Sequence, residues 1–499
     1  MQNLLKKIAL SISMILLIHV SINAQNEVDA LRFSEIDWQG SARFMGAGRA
    51  FGAVGAEFSA LNLNPASIGL YKKNEVTFTP ITISGYKNTS GYNGTATPGQ
   101  NVRYNFNNAG IVLAIPGVSN SLWKKFQIGF GYNRINNYNN VFSIEGRSKG
   151  KSIGSAYADY AEGLDYRDIN NESIWSDEMW TAWNYYLIDP VAGSYTSYIP
   201  ALTGLDLSQT STVRRTGGND EMIFSVGTNY DDKLYLGATL GIPFISFTEN
   251  RTYSEVNDKQ KSEYKFQRWD ITDKLSVRST GINLKLGVVY QPLDFLRVGL
   301  AFHTPTYYGN VKDYFERNIY ASKWDYADTL WNTKSYNDAV HYSNSFNYSL
   351  TTPLRAMANV AFFIQQRAFI SAEYEIADYG MASMYAVDYN FSEENKSIQK
   401  MYGACHIARI GAEINLNQVF AVRAGYNYIS SPYKDKINDG SKHYVSAGFG
   451  FRTKYFYGDF AYAITTSKEW YWMYNSKFAN AVDQKFITHR VMMTMGVKF

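Results

Sequence analysis

The sequence predicts an all-β protein, a 14-stranded antiparallel transmembrane β-barrel plugged by a small N-terminal hatch. Three observations predict this fold. Apolar and polar residues alternate along many segments, the links between these segments tend to alternate between short and long, and the last strand ends in the aromatic Phe499. After residue 24 there is no continuous apolar run of about 18 residues, which argues against membrane-spanning helices.

The first 24 residues are predicted to be a secretory signal peptide. Two lysines precede a mostly apolar run over residues 8–20, and Ala24 is a small residue at the expected cleavage point. The run is too short to cross a bilayer. We therefore expect an exported chain that begins at Gln25. Its single cysteine, Cys405, excludes an intramolecular disulfide.

The charge of the chain is close to neutral. The formal net charge is +4, and it falls to +2 without the signal peptide, because that segment carries two lysines and no acids. Such a balance predicts neither a nucleic-acid partner nor a strong steering field.

The strand pattern is plainest in residues 408–416. One face carries Ala408, Ile410, Ala412, Ile414 and Leu416, and the other carries Arg409, Gly411, Glu413 and Asn415. The same alternation recurs in residues 295–303, 419–428 and 444–452. One face of each strand therefore meets an apolar medium and the other a wet one. The strands of a soluble sandwich show the same alternation, with their apolar faces packed inward. The lengths of the connections must therefore distinguish a sandwich from a membrane barrel.

The connections favour a membrane barrel. Strands are predicted at 74–86, 103–115, 125–146, 221–230, 233–254, 263–290, 295–310, 342–364, 368–386, 403–415, 419–429, 442–453, 455–466 and 485–499. Most of the links alternate between a few residues and long loops such as 87–102, 147–220 and 311–341. Short turns on one side and long loops on the other are typical of barrels in the outer membrane of Gram-negative bacteria. A strand that ends in an aromatic residue also resembles the signal that the barrel assembly machinery recognises.

The segment before the barrel domain, residues 25–73, has no strand pattern. Residues 48–71 contain four glycines and five alanines. Small side chains pack tightly inside a pore, and a barrel of 14 strands, residues 74–499, would otherwise enclose a water-filled channel. We therefore expect this segment to lie inside the barrel as a plug.

Two motifs in this segment carry a family resemblance. Gly48-Arg49-Ala50-Phe51, followed by Asn64-Pro65-Ala66 shortly before the first strand, resembles the N-terminal hatch of the long-chain fatty-acid transporter family (FadL/TodX type). The sequence FMGAGRAFGAVGAEFSALNLNPA is similar to that of Bacteroidetes-type homologues. With the strand count and the terminal Phe499, the resemblance spans the whole mature chain. Gly48, Arg49, Asn64, Pro65 and Ala66 are the predicted hatch motif, and the Asn-Pro-Ala turn is either a hatch anchor or an ordinary tight turn.

The resemblance implies a function. It implies an outer-membrane barrel that takes up hydrophobic small molecules such as long-chain fatty acids, often by a lateral path through the wall. Some homologues of this type are labelled haemin receptors, and some barrel relatives serve type IX protein secretion. A haemin-binding or protein-binding barrel without small-molecule transport is therefore the alternative.

The long loop 147–220 contains an apolar stripe. Trp175, Met179, Trp183 and Leu187 recur every four residues, and Trp180 widens the stripe. On a helix these residues share one face. The stripe either forms a groove that first captures an apolar ligand, or packs a helix onto the barrel mouth.

Cationic residues are predicted on the lumen side of the strands. The main candidates are Lys285, Arg297, Arg409 and Arg423, and several acids, including Glu373, Glu375, Glu413 and Asp459, share that side. One or two of the cations pair with a ligand carboxylate, or the charges neutralise one another and hold the hatch. For any single residue we favour the second interpretation.

No catalytic residue, metal or cofactor is predicted. No histidine lies in an H-E-x-x-H setting, and the match of residues 146–150 to G-x-S-x-G ends a barrel strand instead of forming a strand–turn–helix elbow. The expected partners are a hydrophobic small-molecule ligand, outer-membrane lipids and the barrel assembly machinery. We expect the protein to be a monomer.

Overall fold

The structure is a computed structural model that describes residues 27–118, 120–171, 174–202, 204–258, 265–324, 335–365, 367–435 and 438–499. The predicted signal peptide, residues 1–24, lies outside these ranges. Among the described residues, no helix combines the length and the apolar character needed to cross a membrane.

Strands make up most of the structure. They are β1 Glu75–Tyr92, β2 Thr95–Asn105, β3 Asn108–Pro116, β4 Trp123–Asn137, β5 Asn140–Lys149, β6 Ile188–Pro190, β7 Tyr198–Pro200, β8 Asp206–Tyr230, β9 Leu234–Val256, β10 Phe266–Leu293, β11 Leu296–His303, β12 Tyr307–Trp324, β13 Ser335–Thr351, β14 Arg355–Ile364, β15 Ala368–Asp378, β16 Ser383–Tyr385, β17 Ala404–Asn415, β18 Phe420–Ile429, β19 Lys442–Arg452, β20 Phe456–Tyr471 and β21 Val482–Lys498.

Short helices lie in the N-terminal segment and in the links. The α-helices are α1 Glu27–Ser34, α2 Ala42–Gly46, α3 Gly154–Ala161, α4 Asp177–Asn184 and α5 Ser392–Met401. The 3₁₀ helices are Phe58–Asn62, Pro65–Leu70, Tyr166–Asp168 and Tyr379–Met381.

The strands close into one antiparallel barrel, and the prediction of a 14-stranded barrel is confirmed. Five wall strands are interrupted, so that β2 and β3, β4 and β5, β11 and β12, β13 and β14, and β15 and β16 are pieces of one strand each. The first and last strands pair from Glu75 opposite Lys498 to Gly91 opposite Asp483. Closure leaves no sheet edge between these two strands to be satisfied by lipid.

The two faces of the wall differ as the alternation predicts. Outward side chains such as Leu300 and Ile410 are large, apolar and exposed, whereas inward side chains such as Arg409 and Arg423 are polar and buried. An apolar outer face suits lipid contact, and a polar inner face suits a lumen.

The three long loops predicted above are shorter in the structure. In the predicted loop 311–341, β12 continues to Trp324 and β13 begins at Ser335. The predicted loop 87–102 is instead a continuous hairpin, in which β1 and β2 are joined by Asn93 and Gly94 with positive φ angles of 47° and 86°. Asn-Gly is a favoured two-residue hairpin turn. The predicted loop 147–220 also narrows to residues 150–205, because β8 begins at Asp206.

The described residues of the interval 150–205 pack over the long-loop end of the barrel, and we call them the cap. Its helices α3 and α4 join one apolar cluster with inward side chains of the wall. Within that cluster the ring centroids of Tyr157 and Trp269 lie 5.2 Å apart. The cap is therefore packed against the barrel mouth.

Candidate functional site

The Asn-Pro-Ala turn docks against the inner wall. Asn64 is fully buried and caps the following 3₁₀ helix, because its Oδ1 accepts a hydrogen bond from the Ala66 amide at 3.1 Å. Its Nδ2 donates to Asn359 Oδ1 at 3.0 Å and to the Val288 carbonyl at 3.3 Å. Pro65 is the first residue of the helix, where its missing N–H costs no hydrogen bond.

Wall glycines make room for this turn. A β-carbon on Gly237 would lie 2.3 Å from the Pro65 carbonyl oxygen, and one on Gly287 would lie 2.0 Å from Asn64 Oδ1. No other residue fits there without moving the turn. The sequence motif alone did not reveal these partners.

A second glycine contact holds the Gly48-Arg49 motif. Gly48 has φ +63°, and a β-carbon there would lie 2.6 Å from the Ile410 carbonyl oxygen. On the wall, a β-carbon on Gly425 would lie 2.0 Å from the Gly48 amide nitrogen, and one on Gly411 would lie 2.1 Å from the Ala47 carbonyl oxygen. Backbone thus meets backbone at this point.

Arg49 anchors the same motif through its side chain. Its Nη1 lies 2.6 Å from Asp37 Oδ1, and its guanidinium stands 4.2 Å above the centre of the Tyr444 ring. Arg490 reaches the other Asp37 oxygen at 3.1 Å. Burial raises the pKa of Asp37, but Arg49 and Arg490 outweigh that effect and lower it to about 2. Asp37 is therefore ionised at neutral pH, and its ion pair with Arg490 joins the N-terminal segment to the wall.

The other contacts of the N-terminal segment extend around the barrel. Hydrogen bonds join the amide of Ala42 to Thr494, the amide of Gly48 to Ser446, the carbonyl of Ala50 to Ser371, the carbonyl of Leu63 to His303 and the carbonyl of Gly69 to Gln127. These partners belong to β21, β19, β15, β11 and β4.

Three of the four predicted lumen cations are paired with buried acids. Lys285 contacts Glu221, Arg409 lies 2.5 Å from Glu375, and Arg423 lies 2.6 Å from Glu413 and 2.7 Å from Asp459. Arg43 of α2 also binds Glu413, at 2.8 Å. This arrangement favours the interpretation in which the charges neutralise one another and hold the N-terminal segment.

Arg297 differs from these three. Its Nη1 donates to the Val54 carbonyl at 2.8 Å, its Nε donates to Gln291 Oε1 at 2.9 Å, and its guanidinium lies 4.4 Å from the centre of the Phe363 ring. None of the carboxylates that the structure describes forms an ion pair with it.

Two cavities flank the N-terminal segment along the barrel axis. The one toward the long loops has a volume of about 220 Å³ and is lined by Asp37, Arg49 and Lys442 among others. The one toward the short turns has a volume of about 770 Å³ and is lined by Val54, Leu70 and others. The segment therefore lies between two spaces inside the barrel.

The predicted aromatic stripe is not one helix face. Met179, Trp180 and Trp183 lie in α4, whereas Trp175 precedes the helix and Leu187 follows it. The helix begins at the Ser176 N-cap and ends before Tyr186, which has a positive φ of 58°. Trp175, Met179 and Leu187 are buried in the cluster that joins cap and wall. Their burial favours the packing interpretation over an open groove.

The wall lacks a ladder on one side of β2. β3 pairs with β4, and β5 pairs with β8, but no ladder joins β2 to β4 or β5, all of which the structure describes in full. β5 instead bends inward, since Asn88 of β1 donates to the Val141 carbonyl at 2.5 Å and a β-carbon on Gly146 would lie 2.6 Å from the Tyr92 ring. This seam between β2 and β5 was not predicted; the asparagine-rich run 136–140 is its only trace in the sequence.

These features define a closed 14-stranded barrel with a buried N-terminal segment and an unpaired seam. Among solved structures, the chain is similar to a FadL homologue of Pseudomonas aeruginosa, with 13% identity over 93% of this chain and 99% of that chain and a TM-score of 0.52. It is also similar to the toluene transporter TodX of Pseudomonas putida, with 13% identity, the same coverage and a TM-score of 0.51.

The chain therefore has the fold of FadL/TodX barrels, as the hatch motif predicted. No family model matches the sequence, and no curated protein matches it.

Proposed function

We propose that this protein is an outer-membrane channel for the uptake of hydrophobic small molecules such as long-chain fatty acids. One observation carries the proposal: the N-terminal segment bonds to strands around the inner wall and separates two cavities. The fold shared with the FadL homologue and with TodX, named as a toluene transporter, supports it. The names of these two similar proteins give no support to haemin binding, protein secretion or catalysis.

The N-terminal segment, predicted at 25–73, acts in this proposal as the hatch. Its anchor is the Asn-Pro-Ala turn, which the Asn64 hydrogen bonds hold to the wall, and the glycine-containing segment 46–55 lies before it. Gly55 within this segment has φ +72°, a conformation that glycine adopts at little cost. Movement of segment 46–55 about this anchor would break the Arg49–Asp37 ion pair and connect the two cavities.

Entry is proposed to be lateral. The cap packs its large aromatic residues against the wall, so the axial route from outside is obstructed by buried side chains. The seam between β2 and β5 offers a route through the wall, because it has no ladder hydrogen bonds to break. The outward apolar face would place the seam beside lipid, where hydrophobic ligands concentrate.

A reversible tether tests whether the hatch moves. A β-carbon on Gly46 would lie 3.3 Å from Ala461 Cβ, close to the separation in a disulfide. In the variant Gly46→Cys with Ala461→Cys, we expect uptake of radiolabelled oleate by whole cells to fall when the pair is oxidised and to recover on reduction. The two single variants are the controls, and the native Cys405 is buried. Equal uptake in the oxidised and reduced states would reject the hatch as a gate.

A further inference from the structure

The cavity on the short-turn side of the N-terminal segment carries excess positive charge. Seven cationic side chains line it against three carboxylates. Three of the seven cations, Arg43, Arg452 and Lys498, pair with Glu413 or Glu75. Among the described residues the other four, Lys72, Lys124, Lys125 and Arg297, form no ion pair, and only Asp232 and Asp294 remain in the lining to balance them. A concave site with uncompensated charge of one sign concentrates ions of the opposite sign.

Arg297 is the cation best placed to bind such an anion. A guanidinium has five N–H donors, and Val54 and Gln291 accept hydrogen bonds from two of its nitrogens. The remaining donors are on the planar fork that matches a carboxylate. The stack on Phe363 and the bond to Val54 hold the group in place.

Apolar side chains lie beside this cation in the same cavity. Val54 and Leu70 of the N-terminal segment and Phe363 and Phe369 of the wall contribute to its lining. A charged fork next to an apolar surface suits a molecule with one anionic end and one hydrocarbon end. The volume of about 770 Å³ is in the range of small-molecule sites.

We propose that this cavity is a binding site for a monocarboxylic acid with an apolar chain, whose carboxylate pairs with Arg297 and whose chain lies against Val54, Leu70, Phe363 and Phe369. The class of ligand rests on the proposed function. The new element is a second binding site, on the short-turn side of the hatch. Because Arg297 also binds the Val54 carbonyl, ligand and hatch share one side chain. No covalent step is involved.

Equilibrium dialysis of octanoate against the purified full-length protein in amphipol tests the site. We expect Arg297→Gln to weaken octanoate binding about tenfold or more, the scale of a lost charge-assisted pair. Arg297→Lys, which keeps the charge but loses the planar fork, should lose less affinity than Arg297→Gln. Arg367→Gln is the matched control, because Arg367 is an exposed cation on a short turn at the same end. Octanol, which lacks the charge, should bind all four proteins equally.

Several results would overturn the site. They are equal octanoate affinity in wild type and Arg297→Gln, equal losses in Arg297→Gln and Arg367→Gln, and displacement of octanoate by a hexaglutamate peptide of higher affinity, which would assign the cavity to an acidic protein segment. Heat-modifiable migration on gels confirms that each variant is a folded barrel. Octanoate binding that does not depend on Arg297, together with a working hatch tether, rejects only this site, whereas Arg297-dependent binding with an ineffective tether rejects only the gating.

Discussion

The amide nitrogen of Gly48 lies 2.0 Å from the point where a β-carbon on Gly425 would stand. The two residues are 377 positions apart in the chain, since one is in the N-terminal segment and the other is in β18. Backbone contact of this kind fixes the position of the segment more tightly than side-chain packing does, because neither partner has rotamers to adjust.

A methyl group at Gly425 should therefore displace the segment. We expect Gly425→Ala to cost about 1–3 kcal/mol, the usual penalty for overpacking, and to increase amide hydrogen exchange in residues 46–50. Gly85→Ala is the control, because a β-carbon on Gly85 finds its nearest neighbour 4.0 Å away. Unchanged exchange in Gly425→Ala would mean that the segment does not press on the wall there.

The Asn64–Asn359 hydrogen bond should be a measurable coupling. Asn64→Ala removes a helix cap and the donor to Asn359, for which we expect a loss of about 1–2 kcal/mol. A double-mutant cycle with Asn359→Ala, followed by thermal unfolding, isolates the pair. Additive effects would show that Asn64 acts only as a local cap. If the turn anchors the hatch, Asn64→Ala also changes oleate uptake at equal membrane abundance.

The docking of α1 should depend on pH through Asp29. Burial raises the pKa of Asp29 to about 7, although Arg32 opposes the shift, while Asp313 and Glu249 reinforce it. The folded state then binds a proton that the free segment has lost, so docking is strongest at low pH and weakens as the pH rises through about 7. Hydrogen exchange in residues 27–34 should be slower at about pH 5.5 than at about pH 8.5, after correction for intrinsic rates. Asp29→Asn should abolish this difference in exchange. Wild-type exchange that does not change with pH would contradict a raised pKa of Asp29 in the docked segment.

The buried stripe of the cap should tolerate no charge. Met179→Asp places an unpaired carboxylate in the cluster that joins cap and wall, and we expect a loss of more than about 3 kcal/mol in cap stability. The rate of limited proteolysis within residues 150–205 reports this loss of cap stability. Ile174→Asp, at an exposed position of the same cap, is the matched control. Similar cleavage of the two variants would favour an open groove after all.

The sequence predicted the wall better than the site, for a physical reason. Alternation such as that of residues 408–416 is local, and each residue faces lipid or lumen according to its own polarity. The predicted loop 87–102 was wrong, and it contained an Asn-Gly turn that signals a hairpin. The predicted loop 311–341 was also wrong over most of its length, since β12 continues to Trp324 and β13 begins at Ser335.

The site depends instead on residues far apart in the chain. Gly237 and Gly287 matter because Asn64 and Pro65 approach them, and no local pattern marks such an approach. In the sequence, these two positions are marked only by a glycine on the polar face of a strand. Arg297 was predicted on the lumen side with three other cations, but only their partners in space distinguish it from them.

The ladder between β1 and β21 joins the two ends of the barrel domain, and this sets an order of assembly. The N-terminal segment leaves the ribosome first, yet three of its docking strands, β17, β18 and β19, are made late. Until they are present the segment lacks these partners, although it already has those on β4, β9, β10, β11 and β15. The final pairing of first and last strand then encircles a segment that is continuous with β1, so that closing the wall and seating the segment become one event.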